Sequence, residues 1–198
     1  MTDPTVAKAQ ANASTLSPQQ KLEEAVEVIK DIKVAMFTSR APDGKLASRA
    51  MQPTHIDSLG TLITFWSNLD SGKHDDIEND PQVNVSFIQP KTGDWVSVAG
   101  RAVINKDPAL KKKHWSSAVS AWFDKSDKPG HTGSHDDARA VLIEVHPEEI
   151  RVFKAHGKLK FLAETAKAAV SGQAAAGGQL ITITSDELQL ASKVTGHH

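Results

Sequence analysis

Apolar positions first recur at helical spacing at Leu22, Ala25, Val26 and Ile29, directly behind Ser17-Pro18-Gln19-Gln20. That tetrapeptide combines an N-cap serine, a proline at the first helical position and a glutamine three residues on, the pattern of a capping box. An amphipathic helix is predicted over 17–31. Residues 1–16 are rich in Ala, Thr, Asn and Gln without periodicity and read as a flexible tail. From Lys33 the pattern changes to short apolar runs broken by turn residues. Val34–Ser39 is a strand, Ala41-Pro42-Asp43-Gly44 a turn, and Leu46–Thr54 the returning strand of a hairpin. Thr61–Ser67 is a further strand, rich in β-branched and aromatic residues. Ser71–Asp80 reads as a short helix stopped by Pro81. Val83, Val85 and Phe87 alternate with Asn84 and Ser86 as in a half-buried strand, and Trp95–Val103 is the next.

Asp107-Pro108 opens another helix, with Leu110, His114, Ala118 and Ala121 on one face and Trp115, Val119 and Trp122 beside it. Residues 124–138 form a polar Gly/Pro loop long enough to be functional or mobile. Val141, Ile143 and Val145 mark a sixth strand and Ile150–Ala155 a seventh, before a helical pattern over Leu159–Val170 that GQAAAGGQ breaks. Short, mostly adjacent strands with hairpin turns predict a mainly β fold with flanking helices, an antiparallel barrel or sandwich. The expected organisation is one domain over 17–176, with 177–198 as an extension. His197 and His198 are set aside as remnants of an expression tag.

Composition narrows the function. The 198 residues are 39% hydrophobic and 24% charged, as in an ordinary globular chain. With 23 Lys+Arg against 24 Asp+Glu the net charge is −1, which gives no electrostatic case for nucleic acid or an anionic membrane. The absence of cysteine removes disulfides, thiolate nucleophiles and cysteine zinc sites. No window reaches the ~20 apolar residues of a membrane span, and no targeting pattern is visible, so a cytoplasmic protein is expected. His131 and His135 are four apart, but Gly133 and the preceding Pro129-Gly130 argue against the helix that would converge them on zinc, and no metal site is expected. No GxSxG elbow is present. Lys111-Lys112-Lys113-His114-Trp115 reads as a solvated lysine face with Trp115 turned inward, and Trp115, Trp122 and Phe123 as packing or subunit interface.

The stretch Phe65-Trp66-Ser67-Asn68-Leu69-Asp70-Ser71-Gly72-Lys73 holds the most chemistry. A strand ends, the chain turns, and Ser71-Gly72-Lys73 opens a helix whose free N–H groups suit an anion. Gly72 allows close approach, Ser71 brings a hydroxyl and Lys73 a full charge. Arg49, in Ser48-Arg49-Ala50-Met51 on an earlier strand, is a second cation whose fork suits a phosphate. If the two converge, Trp66 and Met51 can flank a flat ring system. The same residues also suit a purely structural account, with Ser71 an N-cap, Lys73 solvated and Arg49 in a surface ion pair.

The run FWSNLDSGK resembles the flavin-phosphate motif of the pyridoxamine 5'-phosphate oxidase-like, FMN-binding split barrels, in particular their general-stress and fungal blue-light-inducible branch. The order of features agrees over about residues 17–155: the leading helix, SRAM, FWSNLDSGKHDDIENDPQVNVSFIQP, WVSVAGRA and KKKHWSSAVSAWF. The resemblance implies an antiparallel split β-barrel that holds FMN, with FAD as the alternative, at a homodimer interface. Arg49, Lys73 and Ser71 would bind the phosphate. The strand at Ala50, Met51 and Gln52 would run beside the isoalloxazine ring, Trp66 and Ser67 would contact it, and Trp95 and Ser97 would approach from the second subunit. The implied function is a stress-type flavin oxidoreductase acting on a small molecule. The alternatives are a flavin-sensing module without turnover, or a split barrel that takes haem or a deazaflavin. Gly72 stands where the oxidases have a second basic residue, and their C-terminal Trp/Arg motif has no counterpart here, so oxidation of vitamin B6 is not expected.

Overall fold

The capping box that opens the predicted helix forms as expected. In the computed structural model, which describes residues 3–172 and 174–195, helix α2 (Pro18–Asp31) begins at Ser17. Ser17 Oγ accepts from the Gln20 N–H at 3.3 Å, and Gln20 Oε1 accepts from the Ser17 N–H at 2.9 Å. Leu22, Ala25, Val26 and Ile29 are all buried. Residues 4–11, part of the tail expected to be flexible, instead form helix α1 (Pro4–Ala11), with Pro4 at its first turn and Asp3 capping it.

The strands are β1 (Ala35–Arg40), β2 (Leu46–Met51), β3 (Pro53–Ile56), β4 (Ile63–Asn68), β5 (Gln82–Ile88), β6 (Trp95–Asn105), β7 (Ala140–Ala155) and β8 (Gly178–Ile183). The remaining helices are α3 (Lys73–Asn79), α4 (Pro108–His114), α5 (Ser117–Ser120), α6 (Lys158–Ser171) and α7 (Ser185–Thr195). The sheet runs in the order β2-β1-β5-β6-β7-β4-β3, with β8 also paired to β7. The two ends of that order, β2 and β3, are joined in the chain by Gln52 alone, the connectivity of a barrel. This is the split-barrel architecture, mainly antiparallel β with flanking helices.

The chain forms two compact units: residues 34–85 with 99–147, and the rest of the described chain. In the first, the hairpin turn sets the register of β1 and β2. Gly44 takes φ +86°, which favours glycine, and Ala41 N–H donates to the Lys45 carbonyl at 2.8 Å. The register then runs from Arg40 opposite Leu46 to Ala35 opposite Met51, so Arg49 faces Phe37. Phe37 and Phe65 meet edge to face at 5.7 Å in the core of this unit.

Several expectations change. The returning strand over Leu46–Thr54 is two strands broken at Gln52, one serving each end of the sheet. The expected sixth and seventh strands are one, because the two halves of β7 have separate partners: Ala140–Val145 pairs with β4 and Ile150–Ala155 with β8. The helix opened by Asp107-Pro108 stops at His114, since Trp115 is extended and Ser116 caps the separate α5. Trp122 is 82% exposed while Phe123 is buried. Lys111 does not belong to a solvated face: it is 8% exposed and donates to the Asp137 carbonyl at 2.9 Å.

The 124–138 loop, functional or mobile by its length, is pinned. The fully buried Asp137 carboxylate accepts from the N–H of Gly133 and from Arg139 Nε and Nη2, at 2.9–3.0 Å. Arg139 Nη1 reaches Asp124 Oδ1 at 2.7 Å. Within the loop His131 Nδ1 pairs with Ser126 Oγ at 3.0 Å.

The second unit holds α1, α2 and the C-terminal elements. α1 packs on β8, where Gln179 Nε2 donates to the Asn12 carbonyl at 2.9 Å. Gly178 is required there, because a Cβ would lie 2.2 Å from the Lys154 carbonyl oxygen. Lys21 of α2 reaches Glu187 of α7 at 2.8 Å. The expected C-terminal extension therefore supplies a strand and a helix to this unit. His197 and His198 lie outside the described residues.

Candidate functional site

Lys73 opens α3 with Gly72 as its N-cap, so the helix begins two residues after the Ser71 of the motif. The Lys73 ammonium is half-buried and donates to Ser67 Oγ at 2.9 Å and to Ser71 Oγ at 2.5 Å. Ser71 Oγ in turn donates to the Asn68 carbonyl at 2.7 Å, which holds the turn between β4 and α3. Among the described residues no carboxylate lies within ion-pair distance of Lys73. Burial, and then the Arg49 charge, pull its pKa below the ordinary lysine value. The Arg49 guanidinium is thus near enough for its charge to weigh on the Lys73 ammonium.

Arg49 comes from the β1–β2 hairpin, not from an exposed surface pair. Its Nη1 donates to Ser39 Oγ at 2.6 Å and its Nη2 to Asp76 Oδ2 at 3.3 Å. Ser39 Oγ donates to the same Asp76 oxygen at 2.6 Å. Ser39 and Asp76 are buried, and the guanidinium carbon sits 5.9 Å from the Phe37 ring centroid. A guanidinium carries five N–H donors, so these two bonds fix its plane and leave most of the fork for another acceptor. Asp76 stands one turn after Lys73 on α3, so one short helix supplies a cation and the carboxylate that braces the other cation.

The structure thus brings Arg49, Lys73, Ser67 and Ser71 into one cluster, together with Ser39 and Asp76, which the sequence reading missed. The signal for Ser39 is the hairpin register: it lies diagonal to Arg49 across β1 and β2, within reach of a long side chain. Asp76 carries only the weaker signal of its spacing from Lys73. Gly72 is exposed with ordinary helical φ, and a Cβ there would meet nothing within 4 Å.

The bonds that hold this cluster together involve none of the other residues expected beside the flavin. Successive residues of a strand face opposite sides of the sheet, and Trp66 and Ser67 do so. The Trp66 indole donates to the His114 carbonyl at 3.2 Å and meets Trp115 edge to face at 5.1 Å. Met51 is half-buried on the Arg49 side of β2, whereas Ala50 and Gln52 are exposed. Trp95 and Ser97 belong to the other unit, where Trp95 stacks on Phe153 at 5.9 Å.

A cluster of two cations and two hydroxyls at a strand-to-helix turn has the donor set of a phosphate-ester site. A family model described as pyridoxamine 5'-phosphate oxidase like matches residues 20–176. Protein bli-3 of Neurospora crassa is 32% identical over 188 residues, 91% of this chain and 88% of the relative. General stress protein 26 of Bacillus subtilis is 34% identical over 146 residues, 72% of this chain and 95% of the relative. The crystal structure of general stress protein 26 from Bacillus anthracis matches with a TM-score of 0.55 at 26% identity, covering 66% of this chain and 91% of that one. The matched span includes every member of the cluster, from Ser39 to Asp76, and the chain belongs to the pyridoxamine 5'-phosphate oxidase-like family.

Proposed function

We propose that this chain binds FMN through its phosphate and works as a flavin-dependent oxidoreductase of the general-stress type on a small molecule. The observation that carries this reading is the ammonium of Lys73, partly desolvated, beside a second cation and bonded to two hydroxyls. A dianionic ester relieves the repulsion between Arg49 and Lys73 and accepts from the remaining guanidinium donors. Ser67 and Ser71 orient the ammonium, while Ser39 and Asp76 keep the guanidinium plane fixed. FMN, when bound, supplies electron or hydride transfer, and the protein supplies anchoring, ring orientation and exclusion of water.

In this reading Met51 and the backbone at Ala50 and Gln52 run beside the ring, and a homodimer brings Trp95 and Ser97 of a second copy to it. Titration with FMN and with riboflavin, followed by flavin fluorescence, tests the assignment. The phosphate site requires FMN to bind far more tightly; equal affinities would remove it. Oxidation of NAD(P)H above the rate of free FMN then distinguishes turnover from storage.

A further inference from the structure

The cluster contains one titratable group that the reading above does not use. His74 follows Lys73 directly and is 4% exposed. Its Nδ1 lies 3.1 Å from the Ser71 carbonyl oxygen and 3.4 Å from the Ser71 hydroxyl that Lys73 also binds. A carbonyl only accepts, so Nδ1 carries the hydrogen and Nε2 of the neutral ring is a bare acceptor. Nε2 is buried and has no hydrogen-bond partner among the described residues. Protonation replaces that unpartnered acceptor with an N–H, a form that the Leu69 backbone favours.

The surroundings act on the ring in both directions. Burial, the largest effect, and the Lys73 charge pull the pKa of the ring below the ordinary histidine value, while the backbone at Ser71 and Leu69 and the Glu78 carboxylate favour the charged form. The permanent charges in the cluster are Arg49 and Lys73 against Asp76, a net single positive charge. That is short for a phosphate dianion, and Gly72 adds nothing.

We propose that His74 is a proton-dependent third cation of this site: neutral in the free protein, it takes up a proton when a phosphate ester binds beside Lys73. The proposal rests on the phosphate reading above. Linkage makes it reciprocal, so a proton on His74 tightens the anion by the same factor by which the anion tightens the proton. The affinity lost with the missing basic residue at Gly72 then returns as the pH falls.

The test uses the full chain. The His74 ring is followed by NMR through a pH titration, with and without FMN, while flavin fluorescence reports binding. FMN that binds and raises the midpoint of His74 supports the proposal. FMN that binds and leaves the midpoint unchanged overturns it while the phosphate site stands, and FMN that does not bind overturns both. His74→Asn gives a second arm, because it keeps an N–H near the Nδ1 position and has no proton to gain. From about pH 8 to about pH 5.5 the wild-type affinity should tighten relative to this variant by about fivefold or more. Equal pH profiles overturn the proposal. The protonation of the FMN phosphate itself, near pH ~6, is common to both proteins and cancels in the ratio.

Discussion

Arg49 and Asp76 meet at 3.3 Å between Nη2 and Oδ2, and that one carboxylate oxygen also accepts from Ser39. The contact ties the hairpin to α3 and holds a guanidinium near an ammonium that is bonded to two hydroxyls. The brace sets the position of one cation, and the other cation keeps its charge for a ligand.

Replacing both cations, Arg49→Ala with Lys73→Ala, should abolish FMN binding and leave the fold intact by circular dichroism. Each contact alone, as a charge-assisted bond, is worth about 1.5–3 kcal/mol, or roughly ten- to a hundredfold in affinity by titration. Unchanged affinity in the double variant would contradict the assignment.

Lys73→Met should stabilise the FMN-free protein. The pKa of Lys73 is lowered in the fold, first by burial and then by Arg49. Its charged form is therefore penalised at every pH below the folded value, and the penalty fades as the pH rises through that value toward ~10.4, where the unfolded lysine titrates. A Tm higher by a few degrees near neutral pH is expected, converging with wild type in alkali. The same variant should lose FMN affinity, a trade of function for stability.

Gly72→Arg should raise FMN affinity. The position has φ −56°, is exposed and has open space around its Cα, so a side chain enters without strain. A third permanent cation adds about tenfold or more if it reaches the phosphate. It should also flatten the pH dependence assigned to His74. A loss of affinity would mean that the ester lies away from the helix start.

Arg139→Ala should be among the most damaging single changes. It leaves the Asp137 carboxylate buried without its main partner and frees the 124–138 loop, so Tm should fall by roughly 10 °C or more. Arg139 hydrogen bonds hold the Asp137 carboxyl well below the usual carboxylate range. A group with a depressed folded pKa stabilises fully above its unfolded value, ~3.9, and loses that contribution as the pH falls toward the folded one. Wild type should therefore lose stability more steeply than Asp137→Asn below about pH 4. Thermal melts across that range check both statements.

Much of this was legible in the chain. The Ser17 capping box, the turn at Gly44 and the alternation of Val83, Val85 and Phe87 are local signals, and each depends on residues a few positions apart. The motif Ser71-Gly72-Lys73 and the lone Arg49 singled out two cations and left open whether they converge. What misled were breaks and joins that depend on partners. The stretch 146–149 separates two expected strands, yet β7 runs through because β4 and β8 each pair with half of it. The short β8 carries little signal of its own and forms by pairing with β7. Residues 4–11 lack a long apolar stripe and owe their helix to Asp3, Pro4 and the surface of β8.

By itself the sequence determined the elements with local period and caps, the strand-rich class, and the residue types able to hold a phosphate. Only the tertiary structure decided that Asp76 and Ser39 brace Arg49, that Trp66 turns to the face opposite Ser67, and that His74 is buried beside Lys73 with Nε2 unpaired among the described residues. The reason is distance along the chain. Periodicity and capping act over one turn or one hairpin, whereas a brace between residues 39, 49 and 76 exists only once the pairing of β1 with β2 and the seat of α3 have set three side chains within hydrogen-bond reach.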